Sequence, residues 1–214
     1  MPCGSKSTSS LASAARSANS GFSLAEFLIV TLILLVVAGA VFGMLGSTQR
    51  TASYQSEVYA VMENARIAMD ITERILRQAG NNPRNISPFE GISAIGSSSV
   101  RVRSDLTGSD AGNPDKGDPD GDTMDANEDI IIQYNSGNRT LELLPNGGAA
   151  QAVAGCVTAL ALSYYDADGT TTTVGANIRR IGISITCASG IPHPQTGQIF
   201  STRLNSNIQL AARQ

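Results

Sequence analysis

Tryptophan is missing from this chain, histidine occurs once, and aromatic residues make up 5% of its 214 positions. The single histidine, His193, stands between Pro192 and Pro194. That setting argues against an imidazole-based triad, and one histidine excludes a multi-histidine metal centre. Glycine loops of the phosphate-cradling kind and zinc-type cysteine clusters are missing too. Charge is sparse at 15% of residues, with a formal net charge of −3. Nucleic acid is therefore not an expected partner, because phosphate binding needs a basic face. Only three cysteines occur, Cys3, Cys156 and Cys187.

What is present is unevenly placed. Phe27 to Leu45 is an uncharged run of 19 residues, the length that crosses roughly 30 Å of hydrocarbon at about 1.5 Å per residue. Residues 1 to 20 are rich in Ser and Ala, carry Lys6 and Arg16 and contain no acid. Cations before the span, against Arg50 just beyond it, orient the N-terminus to the cytoplasm. A secretory signal has its apolar core before the cleavage site, whereas here the only plausible processing position, Gly21, precedes it. A cut there would remove Lys6 and Arg16 from the 15 basic residues, leaving 13 against 18 acids, a net of −5. Glu26 at the edge of the span is unusual, since an ionised acid pushed into lipid costs about 2 to 3 kcal/mol.

The segment Gly21-Phe22-Ser23-Leu24-Ala25-Glu26 resembles the class III signal of type IV prepilins. In that family a prepilin peptidase cuts after Gly, the new terminal Phe is N-methylated, and a Glu occupies the fifth mature position. The resemblance implies cleavage between Gly21 and Phe22, methylation of Phe22, and a role for Glu26 in setting register against the α-amino group of a neighbouring subunit. Such a pairing would offset the burial of either charge. The plainer alternative is a signal anchor with Glu26 among the headgroups.

Beyond the span, Gly39, Gly43, Gly46 and Ser47 interrupt a strong helix former, which suits either close helix packing or local unwinding. From about Thr51 to Ala79 an apolar stripe recurs at helical spacing: Val58, Val61, Met62, Ala65, Ala68, Met69, Ile75, Leu76 and Ala79. Asp70 to Arg74 and Glu73 to Arg77 are acid-before-base pairs on the other face. Gly80, Asn81, Asn82 and Pro83 end the helix. The run Met62-Glu63-Asn64-Ala65-Arg66-Ile67-Ala68-Met69-Asp70, then Ile75 to Gly80, looks like the spine of PilW-type minor pilins, with the J-type pseudopilins as close relatives.

After Pro83 short β-rich segments follow: Ser99 to Ser104, Asp129 to Tyr134, Thr140 to Leu144, Val157 to Tyr165, Ile178 to Cys187, and Ile199 to Leu210 with a break near Asn205. The expected fold is α+β and pilin-like, a long N-terminal helix packed on an antiparallel sheet. Its parts would be a leader (1–21), a transmembrane and polymerisation helix (22–46), the amphipathic half of the spine (47–82), and a periplasmic β-rich domain (83–214). An even cysteine count in an exported domain favours a Cys156–Cys187 disulfide over two buried thiols. A hairpin register in which paired numbers sum to 343 would set those cysteines opposite each other, with Leu162 facing Ile181 and Leu160 facing Ile183.

Nine of the 18 acids lie between Asp105 and Asp129. Asp118, Asp120 and Asp122 alternate as oxygen ligands of Ca²⁺ do, and Asp125 and Asp129 would complete a cage. Thr123 stands where a helix-loop-helix calcium loop needs Gly, so a solvated acidic loop is the preferred reading and no resident cofactor is expected.

The functional expectation by resemblance is a minor pilin that assembles with other pilins from the inner membrane into a pilus. Its alternatives are a pseudopilin of type II secretion, or a membrane-tethered calcium-binding or adhesive module that never polymerises. An enzyme is not expected. A tethered hydrolase would need a rigid cleft with converging carboxylates.

Overall fold

The computed structural model describes residues 23–85, 87–108 and 117–210. Residues 1–22, with the expected leader and the expected cleavage and methylation positions Gly21 and Phe22, lie outside the described residues. The chain divides into two compact units, Met1–Ser47 and Thr48–Gln214.

In the first unit the described residues after Ser23 belong to one helix, α1, which runs from Leu24 to Gln78 and so continues into the second. It is unbroken through Gly39, Gly43 and Gly46, so the stretch does not unwind. Its apolar part reaches a mean hydropathy of 2.9 over 18 residues, with none of that window buried in the protein. By length and composition it is able to cross a membrane.

The second unit combines the rest of α1 with two antiparallel sheets. The first has the order β1 (Ile92–Ser93), β2 (Ser99–Arg103), β3 (Asp129–Asn135), β4 (Thr140–Pro145), β5 (Gln151–Ala154). The second is β6 (Val157–Tyr165), β7 (Arg180–Pro192), β8 (Ile199–Gln209). The α+β class is therefore as expected, with two sheets where one was anticipated.

Val61, Ala65, Ala68, Met69, Ile75 and Leu76 of α1 share one core with Val100, Val102, Ile132, Leu141 and the inward residues of β6 and β7. Met62, assigned to the stripe, is 37% exposed. Thr72 is buried in its place, its hydroxyl donating to the Ala68 carbonyl at 2.7 Å, which satisfies a group that would otherwise oppose burial. Glu73 and Arg77 form the expected i, i+4 pair. The helix stops at Gly80, whose φ of +71° only glycine adopts freely. Gly91 lies so close to Gly80 that an added Cβ would meet its nitrogen at 2.3 Å.

The β3–β4 hairpin forms with Ile132 facing Leu143 and Tyr134 facing Leu141. Its turn is held by the Asn135 carboxamide, which accepts from Gly137 and Asn138 N–H. The β6–β7 hairpin departs from the expected register. Leu162 pairs with Ile183 and Leu160 with Ile185, two residues along from the anticipated partners. A shift of two preserves the faces, because side chains alternate with period two. Leu160, Leu162, Tyr164, Ile181, Ile183, Ile185 and Cys187 are accordingly all buried. An irregularity between Val157 and Ala159 then puts Val157 opposite Cys187. Strand β8 runs without the break foreseen at Asn205.

The two sheets are tied together by backbone and side-chain bonds. Leu162 N–H donates to Ser97 O at 2.8 Å and Val157 N–H to Arg139 O at 2.9 Å. The Tyr164 hydroxyl donates to Gly96 O at 2.9 Å, and burial raises its pKa above the usual phenol value.

Candidate functional site

Three groups of residues carry the chemistry suggested by the sequence, and the first is the start of α1. Glu26 lies in the first helical turn, exposed, and its Oε2 accepts the Ser23 N–H at 3.0 Å. Ser23-Leu24-Ala25-Glu26 has the spacing of a capping box, in which the third helical residue satisfies an orphan donor at the helix end. A carboxylate there is also favoured by the helix dipole. This local role is legible in the spacing but is not part of the prepilin pattern. It gives Glu26 a partner within its own chain. All large apolar side chains from Leu24 to Leu45 are exposed, from 49% at Val41 to 81% at Leu24. Among the described residues, an added Cβ at Gly39, Gly43 or Gly46 would touch nothing within 4 Å.

The second group is the cysteine pair. Cys156 and Cys187 are free thiols, the first half-buried and the second fully buried. They occupy adjoining rungs: Ala188 N–H donates to Cys156 O at 2.9 Å while Cys187 pairs with Val157. Burial, reinforced by the nearby Cys156, pushes the Cys187 thiol up to about 11. Cys156 takes a φ of +61°, an uncommon conformation for a residue with a Cβ.

The third group is the acidic segment between β2 and β3. The five residues anticipated as calcium ligands are not drawn together. Asp129 is buried at the start of β3, where both its oxygens pair with the Arg101 guanidinium. The Asp120 carboxylate accepts from Asp122 N–H at 3.1 Å, and that of Asp122 from Met124 N–H at 2.8 Å. These are ordinary Asx turns. Asp118 is exposed and Asp125 half-buried. Among the described residues no three acidic, thiol or imidazole side chains converge to hold a metal by themselves.

Two acids outside the anticipated set are instead fully buried, Asp105 and Glu128. Glu128 Oε1 accepts from Leu106 N–H at 2.7 Å and Thr107 N–H at 2.8 Å. Asp105 Oδ2 accepts from Gly121 N–H at 3.1 Å. Burial first, and then the charge of Glu128, raises Asp105 above the usual carboxylate value. No sequence pattern flags these two, because they sit at opposite ends of the loop and meet only when β2 and β3 pair.

His193 forms an edge-on contact with Tyr54, ring centroids 4.8 Å apart, and its Nδ1 accepts from Gln195 and Thr196 N–H. These contacts give it a structural task in the β7–β8 turn.

No protein-family model and no curated protein matches the chain.

Proposed function

We propose that this chain is a structural subunit of a type IV pilus-like filament, a minor pilin rather than an enzyme. One observation carries the reading: a helix that begins beside an acid bares its whole apolar surface from Leu24 to Leu45. Moving a large apolar side chain out of water is worth about 1.5 to 3 kcal/mol, so this surface calls for lipid or the helices of other subunits around it. Both coverings are used in turn by a subunit that waits in the inner membrane and is then packed into a filament. The sequence Gly21-Phe22 ahead of the helix supplies the processing signal, and prepilin peptidase the enzyme that reads it.

Within this reading Glu26 exchanges its bond to Ser23 N–H for the α-amino group of Phe22 on a neighbour. The open flank at Gly39 and Gly43 lets another helix approach closely. The β-rich unit, with its core against the second half of α1, is the part that faces the periplasm.

Substituting Glu26→Ala tests the reading. Only the local bond to Ser23 is lost, so the β-rich unit keeps its cooperative melting while incorporation into filaments, measured by immunoblot of sheared pili, falls sharply. Normal incorporation of the variant would contradict the role given to Glu26.

A further inference from the structure

The two edges of the second sheet are unlike. Strand β6 is bonded onward to the first sheet through Leu162 and Val157, whereas β8 pairs with β7 alone. Leu210 N–H donates to Arg179 O at 2.8 Å, continuing the ladder in which Gln209 faces Arg180. Successive residues of an antiparallel strand turn their N–H and C=O to alternate sides, so that bond fixes which ones point away from β7. They are Ser201, Arg203, Asn205, Asn207 and Gln209, and among the described residues no group takes up their backbone donors or acceptors. Folded proteins blunt a free edge by shortness, proline, lysine, a bulge or a cover. At the edges of the first sheet, β1 and β5 have two and four residues. Strand β8 has 11, holds no proline or lysine, and keeps one register from Ser201 to Gln209. On its α1 side, where Ser206 bonds Glu73, Phe200 and Leu204 are half-buried against the core, while the odd-numbered side chains are exposed. The sheet thus ends in an open ladder beside an incompletely covered apolar row.

A second copy of this chain does not suit that edge. Helix α1 runs alongside β8 in the same direction, since Tyr54 meets His193 in the turn before β8 and Glu73 accepts from the Ser206 hydroxyl further along it. Two β8 strands paired antiparallel about a two-fold axis would aim the N-terminal ends of their α1 segments in opposite directions, and one membrane cannot take both. Paired parallel about such an axis, the outward residues would sit opposite one another, whereas parallel bonds slant to the residues on either side. Charge describes the partner instead. Arg203 is the one charged residue of β8, exposed, with its Nε donating to the Ser184 hydroxyl at 2.6 Å. Among the described residues no carboxylate pairs with it.

We propose that the free edge of β8 binds an extended segment of a different polypeptide, which joins the second sheet as a further strand. The segment alternates apolar side chains, which cover Phe200 and Leu204, with polar ones that include a carboxylate facing Arg203. Backbone bonds to the five outward residues hold it, and the side chains on its two faces select it. The inference needs α1 in a membrane but neither processing nor polymerisation, so it and the filament reading can fail separately.

The test uses the full chain in detergent micelles and a synthetic peptide as long as β8, in which valine and threonine alternate about one central glutamate. Hydrogen exchange is followed amide by amide by NMR. The amides of Ser201, Arg203, Asn205, Asn207 and Gln209 are expected to exchange freely in the chain alone and about tenfold or more slowly with saturating peptide. Those of Leu204 and Ser206, which face β7, do not change. Asn205→Pro removes the central outward donor and leaves the bonds to β7 in place, so the variant melts cooperatively and loses the peptide effect. Should it unfold, Arg203→Glu gives an independent reading, weakening the peptide roughly tenfold and favouring the same peptide with lysine in place of glutamate. No protection along β8, protection at β1 or β5 instead, a peptide effect that survives Asn205→Pro in a folded variant, or a charge preference unchanged by Arg203→Glu would each overturn the proposal. Protection that arises on concentrating the chain without peptide would overturn it too, since the occupant would then be a second copy.

Discussion

Oxidation of Cys156 and Cys187 closes a loop of about 30 residues, and the entropy this removes from the unfolded chain corresponds to about 3.5 kcal/mol at 25 °C. The structure places the two on adjoining rungs of the β6–β7 hairpin, close enough for the charge of one to act on the other. The positive φ of Cys156 sets some strain against that gain, so the expected net stabilisation is about 2 to 4 kcal/mol. Urea unfolding of the oxidised chain, compared with the chain in a phosphine reductant, measures it. The pH profile supplies an independent readout. Cys187 in the folded protein titrates near 11 against an ordinary 9.0, so the folded state there binds a proton that the unfolded state has released. The reduced protein's stability is therefore intact below about pH 9 and declines as pH rises towards 11, whereas the oxidised protein has no thiol there to titrate. If the oxidised chain unfolds at the same urea concentration as the reduced one, or earlier, the two side chains are not placed for bonding and the reasoning fails.

Leu76→Ala empties a fully buried position where α1 meets the sheets and should lower stability by about 2 to 5 kcal/mol in urea unfolding, against less than about 1 kcal/mol for Arg74→Ala on the exposed face. Glu142 is held below its usual value of 4.5 chiefly by the Asn135 carboxamide, against the opposing effect of burial, with Gln133 and Thr140 assisting. A depressed carboxyl stabilises above its unfolded pKa and loses that contribution as pH falls. Asn135→Ala should therefore flatten the acid limb of the pH–stability profile below about 4.5, and an unchanged limb would count against it.

The long elements were readable because each carries many repeats of one period. The α1 stripe fixed the buried face from Val61 to Ala79, and β6 was bounded by its alternation alone. Met62 and Thr72 show the limit of that reading: Met62 was placed on the stripe and is part-exposed, while Thr72 was not included and is buried, its hydroxyl bonded to the preceding turn. The two-residue β1 and four-residue β5 were missed because they are shorter than one legible period and exist only through their partners. The β6–β7 register was misjudged by two because hydrophobic alternation fixes the face and leaves even shifts undecided, and nothing in the sequence marked the irregularity at Val157 to Ala159. The acidic segment was read by local spacing, which drew attention to Asp118, Asp120 and Asp122. Asp105 and Glu128 are 23 residues apart and become neighbours only by strand pairing. At the start of α1, one spacing of Ser23 to Glu26 serves both a helix cap and the prepilin pattern, so the local role lay hidden behind the more specific one.

The central claim is that this polypeptide is cut ahead of its apolar helix and keeps that helix for assembly. Intact-mass and N-terminal peptide mass spectrometry on the protein recovered from membranes tests it most directly. The account predicts a mature chain that begins at N-methylated Phe22 and retains Glu26 and the whole of α1. A chain that begins at Met1, or one clipped beyond Leu45, would contradict it.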